Sequence, residues 1–409
     1  MRKKIYREGR KNFSDKMISV TKLLFARNYF GDTLRYTKNA NRMTSGAAEG
    51  IGPVVVWNST RTCNLKCRHC YMDSDAKKYS DELSTAEAKK FIDDLADFKV
   101  PVLLFSGGEP LIREDFFELA EYAAKKNIRP TLSTNGTLIT KKIARQIKNI
   151  GVGYVGISLD GLKDVNDKFR GVDGAYKLAM QGIENCVEVG QRVGLRFTIN
   201  HHNFEELDKI FDFIEEEKIN RVCFYHLVYS GRGSQMIDED LTSTESRQAM
   251  DKIISRTKDF ERRGLEKEIL TVDNHCDGVY MYLKFLREGD EETAAQIKKF
   301  ISMNGGNRSG IAFAEVDPLG YVHPDQFTQH HTFGNVREKK FGEIWNDLSN
   351  PILAGLKNRK PLLKGRCSAC KFLDNCNGNF RTRAEAKTGD FWESDPACYL
   401  TDEEIGLQF

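Results

Sequence analysis

The sequence predicts an α/β protein, a partial (β/α)6 TIM-like barrel followed by a smaller C-terminal module in which cysteines cluster. Three observations carry this. Between Gly52 and Ser230, six short apolar runs alternate with five longer amphipathic ones, and strands alternating with helices build parallel sheets joined by right-handed crossovers. Six such units are two short of a closed (β/α)8 barrel, so the sheet is expected to stay open on one side. Past residue 236 the alternation gives way to charged helical sequence, and from about residue 311 to a short hairpin pattern that ends in clustered cysteines. The expected units are therefore an extension over 1–50, a barrel over 51–235, a helical linker over 236–310 and a last module over 311–409.

The extension opens MRKKIYREGRKNF and reads as a solvated basic tail, with Leu24, Phe25, Tyr29 and Phe30 packing on the body. Strands are expected at 54–57, 102–105, 129–133, 154–159, 194–199 and 221–227, rich in β-branched and aromatic residues. Helices are expected at 85–98, 115–126, 141–150, 175–189 and 204–217, where apolar residues recur at helical spacing. Ser84 followed by Glu87 is the capping box that opens the first of them.

Composition excludes several classes. With 62 basic against 59 acidic residues the net charge is +3, far from the basic footprint of a nucleic-acid binder. No apolar run approaches the ~20 residues that span a bilayer, and no signal peptide opens the chain, so a cytoplasmic protein without a membrane partner is expected. Ten cysteines in such a chain argue for metal sites over disulfides.

The first strand runs into residues 58–73, NSTRTCNLKCRHCYMD, which set Cys63, Cys67 and Cys70 at C-x3-C-x2-C. Three thiolates from one short loop can ligate three irons of a cubic 4Fe–4S cluster and leave the fourth open, which suits chemistry at the cluster rather than electron transfer alone. A zinc loop is the competing reading, but zinc knuckles pair thiols as C-x2-C and need a second half nearby, absent here. The second strand ends in Ser106-Gly107-Gly108-Glu109-Pro110, where two glycines permit close backbone approach and Glu109 offers a carboxylate. The third ends in Ser133-Thr134-Asn135-Gly136 and the fourth in Ser158-Leu159-Asp160-Gly161, with Arg170 further on. Each alone is ordinary turn chemistry. On successive strands they gather at one carboxyl edge, where barrels do their chemistry. The sixth strand leads into Tyr229-Ser230-Gly231-Arg232-Gly233, whose arginine could pair with a carboxylate.

In the linker, His275 reads more readily as a structural histidine than as a metal ligand. The last module opens with a hairpin around Gly320 and closes with Cys367-x2-Cys370-x5-Cys376 and a distant Cys398. Four thiolates can close a second cluster, expected to be 4Fe–4S, although C-x2-C with two further cysteines also fits zinc. Fully ligated, it would relay electrons or support the fold. Cys186, Cys223 and Cys276 stand alone and read as buried or incidental.

The C-x3-C-x2-C spacing with His69 before its last cysteine, followed one unit later by Gly107-Gly108-Glu109-Pro110, resembles the radical S-adenosylmethionine (SAM) superfamily. The C-terminal cysteines resemble that superfamily's auxiliary-cluster domains (SPASM and twitch). Asp325 stands where such domains often carry a cysteine, which argues against a third cluster. From Met17 onwards the chain is similar to the branch that remodels side chains of iron-tetrapyrroles. The resemblance rests on Val55-Val56-Trp57-Asn58, Tyr229-Ser230-Gly231-Arg232-Gly233, His323-Pro324-Asp325-Gln326-Phe327, Cys376-Asn377-Gly378-Asn379 and Asp395-Pro396-Ala397-Cys398-Tyr399-Leu400.

The resemblance implies two 4Fe–4S clusters and SAM. Cys63, Cys67 and Cys70 would be the catalytic set, and Cys367, Cys370, Cys376 and Cys398 the auxiliary one. SAM would meet His69, Tyr71, Gly107, Gly108, Glu109, Ser133, Asn135, Ser158, Asp160 and Arg170, with Glu109 at its amino group and Arg170 at its carboxylate. Arg232, His323 and His331 would meet the iron-tetrapyrrole, with Arg308, Arg381 and His330 behind them. The implied activity is removal of acetate side chains from 12,18-didecarboxysiroheme to give iron-coproporphyrin III, fed by a reduced ferredoxin or flavodoxin-like donor. The haem d1 branch, acting on propionates, and peptide-modifying members are the alternatives.

Overall fold

The computed structural model describes residues 17–36, 46–48 and 50–407, so the basic start of the chain lies outside the described residues. Ten strands form one sheet: β1 (Met17–Ser19), β2 (Val54–Thr60), β3 (Val102–Gly107), β4 (Arg129–Thr134), β5 (Val155–Ser158), β6 (Val193–Ile199), β7 (Arg221–His226), β8 (Glu268–Val272), β9 (Phe313–Val316) and β10 (Val322–His323). Their order across the sheet is β1-β8-β7-β6-β5-β4-β3-β2-β9-β10. From β8 to β9 every pairing is parallel, and β1 and β10 flank the array antiparallel.

The six expected strands are β2 to β7, and the helices between them stand where the periodicity put them. The helix Thr85–Asp97 opens on Ser84 and Glu87 as a reciprocal capping box. β2 is buried along its whole length, as a strand covered on both faces must be. Its Trp57 packs edge-on against Phe91 and tilted against Phe105, with ring centroids 5.7 and 5.5 Å apart.

Two further parallel strands extend the sheet beyond the expected six. β8 lies inside the stretch read as a helical linker, which also carries the helices Ser243–Arg262, Cys276–Arg287 and Glu291–Asn304. β9 forms the expected hairpin with β10 and at the same time pairs with β2, so the C-terminal module completes the barrel wall. At the opposite edge, Glu268 on β8 holds two buried arginines, Arg35 and Arg221, each at 2.8 Å. That network fastens the N-terminal segment beneath the barrel. No helix among the described residues is long and apolar enough to cross a membrane.

Candidate active site

β2 and β3 run in register as far as Asn58 opposite Ser106, then slip so that Thr60 faces Gly107. The slip turns the chain out of the sheet into the cysteine loop. Gly107 sits at φ +120°, and a Cβ there would lie 2.3 Å from the Thr60 carbonyl oxygen. At Gly108 it would lie 2.2 Å from that of Thr62. In place of side chains, the Gly108 and Glu109 N–H groups donate to Thr60 and Thr62 at 2.7 and 2.9 Å.

Backbone bonds then set the sulfurs. Cys63 N–H donates to Asp75 O at 2.8 Å, and Lys66 and Arg68 N–H donate to Arg170 and Phe169 O at 3.1 and 3.0 Å. Leu65 and Ser74 N–H point at the sulfurs of Cys63 and Cys70, each at 3.4 Å, and Arg170 Nη1 approaches Cys67 Sγ at 3.5 Å. Burial pushes the Cys63 thiol up to about 12 and raises that of Cys67. Such thiols give up their protons to a bound metal rather than to water. Three thiol donors from one short loop, with no fourth protein thiol among the described residues of the cavity wall, fit three corners of a 4Fe–4S cluster whose fourth iron stays open.

The sulfurs open on a cavity at the carboxyl edge of the strands, whose wall includes His69, Tyr71, Gly107, Gly108, Ser133, Asn135, Ser158 and Arg170. Glu109 and Asp160 do not face it. Glu109 is wholly buried behind Gly108 and accepts from Thr134 Oγ1 at 2.8 Å, Asn135 N–H at 2.8 Å and Leu111 N–H at 3.1 Å. Burial pushes its carboxyl up to about 7 against those donors. Asp160 pairs with the Arg170 guanidinium, accepts from Thr198 N–H at 2.9 Å, and lies 3.6 Å from His69 Nε2. Burial drives the His69 imidazole down to about 4, so it is neutral at pH 7, with its ring 4.8 Å from that of Phe169. Tyr71 Oη donates to Asn58 Oδ1 at 3.0 Å.

Several wall residues escaped the motif reading: Arg196, Thr198, Tyr225 and His226; Gln326 and Phe327, which carried only the resemblance and were given no role, line it too. Arg196 is the most informative. Its Nη1 donates to Ser133 Oγ at 2.8 Å, and a Cβ at Gly156 on β5 would strike its Nε at 2.4 Å. The signal was an arginine inside the apolar strand run 193–199. Below it the cavity continues into a smaller chamber lined by Phe30, Val54, Val102, Phe313 and others, with Leu104, Arg196, Tyr225, Asp273 and Gln326 shared between the two.

A separate, small pocket gathers Cys367, Cys370, Cys376 and Cys398. Cys276, read from the sequence as incidental, lines it too. Its thiol bonds to the Cys398 sulfur, which holds Cys398 below the ordinary thiol range, while burial raises Cys276 itself. Helix Cys276–Arg287 delivers Cys276 from 91 residues upstream of Cys367, beyond the reach of spacing rules. A buried chain of hydrogen bonds links the two sites: His226 Nε2 meets Asp277 Oδ2 at 3.0 Å, and Tyr399 Oη donates to Asp277 Oδ1 at 2.6 Å. Asp325 caps its own loop, accepting from Phe327 N–H at 2.9 Å and Thr328 Oγ1 at 3.0 Å.

The expected substrate contacts do not converge on the cavity. Arg232 donates to Cys67 O at 2.8 Å and Asp73 Oδ1 at 2.6 Å, bracing the cysteine loop from outside. A Cβ at the neighbouring Gly231 would lie 2.4 Å from Cys70 O, which is why the loop needs that glycine. His323 is buried with Nδ1 3.1 Å from His331 O. His331 and His330 turn instead to Glu385. Arg308 and Arg381 are buried against backbone carbonyls, of Gly46 and Ala47 in one case and of Gly378, Phe391 and Glu393 in the other.

A sheet whose carboxyl edge presents three thiols from one loop over a cavity fits a cluster-based enzyme. The pattern of the Radical SAM superfamily matches residues 57–214. Fe-coproporphyrin III synthase of Methanosarcina barkeri (strain Fusaro / DSM 804) is 54% identical over 95% of this chain and 99% of its own. Pre-heme d1 synthase of Dinoroseobacter shibae (strain DSM 16493 / NCIMB 14021 / DFL 12) is 41% identical over 94% of each. SuiB of Streptococcus suis, solved bound to S-adenosylmethionine, shares the fold at a TM-score of 0.69 with 20% identity over 86% of this chain and 78% of its own. The chain belongs to the radical SAM superfamily. It is a radical SAM enzyme, and membership implies a 4Fe–4S cluster, SAM and a source of electrons.

Proposed function

We propose that the enzyme removes acetate side chains from 12,18-didecarboxysiroheme to give iron-coproporphyrin III, a step of alternative haem biosynthesis in the cytoplasm. The observation that carries this is the 54% identity, along 95% of the chain, to Fe-coproporphyrin III synthase. A cavity that passes from the thiols to a partly apolar chamber, with the half-buried Arg196 at their junction, is consistent with a flat, carboxylate-bearing substrate. Pre-heme d1 synthase, at 41%, keeps action on propionates as the second reading.

In this reading Cys63, Cys67 and Cys70 hold the 4Fe–4S cluster, and SAM lies along Tyr71, Gly107, Gly108, Ser133, Asn135 and Ser158. When bound and reduced, cluster and SAM supply a 5′-deoxyadenosyl radical able to take a hydrogen atom from carbon. The chain's own residues do the rest. Arg170 holds a carboxylate or a cluster sulfur, Asp160 fixes Arg170, and Glu109 locks the β4 loop from behind. Arg196, rather than Arg232 or His323, pairs with a substrate carboxylate, since its half-buried guanidinium lines the cavity and matches a carboxylate bidentately. Cys367, Cys370, Cys376 and Cys398 would hold a second 4Fe–4S cluster, which when bound would supply one-electron transfer, and a ferredoxin or flavodoxin-like protein would supply reducing power. Residues 51–235 act as the core, 236–310 as connection and 311–409 as the auxiliary module.

Spectroscopic titration tests the substrate. Adding 12,18-didecarboxysiroheme to the cluster-loaded enzyme should shift its Soret band saturably. Arg196→Met should weaken that binding by ~10-fold or more, the scale of a lost buried charge contact. An unshifted Soret band would remove the tetrapyrrole from the account.

A further inference from the structure

One cluster of metal-ligating side chains takes no part in the chemistry above. His330 and His331 close the loop that follows β10, and Glu385 projects from the helix Arg381–Thr388. His330 Nε2 lies 2.6 Å from Glu385 Oε2, and His331 Nε2 lies 3.1 and 3.2 Å from the two carboxylate oxygens. One ligand atom from each of the three falls within 4.8 Å of the other two, the only such convergence among the described residues. Two imidazoles and a carboxylate on a partly open site are a borderline-to-hard donor set, suited to zinc or another divalent first-row ion with water completing the shell.

The neighbours favour this use. The imidazole rings are 4.4 Å apart, close enough for one nitrogen of each to reach the same ion. His331 is held on its far side by the Phe391 ring at 5.0 Å, and its carbonyl accepts from His323 Nδ1 at 3.1 Å. Thr328 and Thr382 hydroxyls meet at 2.7 Å beside it, so the loop and the helix already touch at a second point. The exposed imidazole of His330 leaves an entry path, its side chain being 51% accessible against 24% for each of the other two ligands.

We infer that His330, His331 and Glu385 form a binding site for a divalent transition ion that clips this loop to the helix Arg381–Thr388. The consequence reaches the active site, because the same loop carries Gln326 and Phe327 into the cavity wall. Ser230 Oγ grips the Phe327 carbonyl from the other side at 2.8 Å. An ion in place would fix that wall from both ends. The inference requires neither the second cluster nor the tetrapyrrole, so it stands or falls apart from the proposed activity.

The test uses zinc on the enzyme with its iron–sulfur clusters in place, dialysed anaerobically against a chromophoric chelator. About one zinc should be retained per chain, and zinc K-edge X-ray absorption should show a shell of nitrogen and oxygen with imidazole scattering and no sulfur. His330→Ala and Glu385→Gln, both on the surface side of the site, should weaken zinc at least ~10-fold while iron content stays at the parent value. Zinc should raise the melting temperature of the parent and leave that of Glu385→Gln where it was. Sulfur in the shell, or equal retention by parent and Glu385→Gln, would overturn the site. A second arm adds iron-coproporphyrin III. Zinc should remain bound and the Soret position should be the same in parent and His330→Ala. Displacement of zinc together with loss of the Soret shift in His330→Ala would give these imidazoles to the tetrapyrrole iron instead.

Discussion

At the scale of single residues, the proposed assignment gives the two cysteine sets different work. Cys63→Ala should abolish 5′-deoxyadenosine formation, because in that assignment its sulfur is one of three that leave an iron open to SAM. Cys398→Ala should leave some uncoupled cleavage, since its pocket is a separate one. Chromatography of 5′-deoxyadenosine under dithionite checks both, and parental rates from Cys63→Ala would contradict the assignment. His226 offers a pH test. Burial alone would lower its pKa, but Asp277 at 3.0 Å outweighs it and the folded value is raised. Stabilisation from a raised histidine is fully present below the unfolded value, ~6.5, and is lost as pH climbs through the folded one. Melting temperature should therefore fall over that window in the parent and much less in His226→Gln, followed by scanning fluorimetry.

At the scale of elements, what could be read from the sequence was what local patterning determines. The capping box at Ser84 and Glu87, the strands β2 to β7 and the glycines after β3 all follow from two- to four-residue rules, and each stands as read. What escaped needed distance. β8 is five residues between charged helices, too short to distinguish from a helix end by periodicity. Cys276 joins its pocket from a different helix, and Arg196 matters only because Gly156 on the next strand leaves it room. Arg232 and His323 were plausible by chemistry, yet the fold spends both on bracing loops. The glycines can be tested at this scale. Gly108→Ala would drive a Cβ to 2.2 Å from the Thr62 carbonyl oxygen, forcing backbone apart at the root of the cysteine loop. A loss of ~1–3 kcal/mol in unfolding free energy is expected, with reduced iron at the first cluster. Gly190→Ala, with φ +66° and nothing within 4 Å, should cost only ~1 kcal/mol and keep its iron.

At the scale of the molecule, the sheet serves both sites. β2 carries the cysteine loop at its end and pairs with β9 of the C-terminal module, so the module is built into the barrel wall. The chain from His226 through Asp277 to Tyr399 then joins the cavity to the residue beside Cys398. The whole arrangement matters only if a tetrapyrrole is what the cavity turns over. The direct measurement is anaerobic turnover of the reconstituted enzyme with SAM, reductant and 12,18-didecarboxysiroheme, read by mass spectrometry. Loss of both acetate side chains to give iron-coproporphyrin III, with 5′-deoxyadenosine formed alongside, is the expected result. Deoxyadenosine formed while the tetrapyrrole returns unchanged would contradict the account.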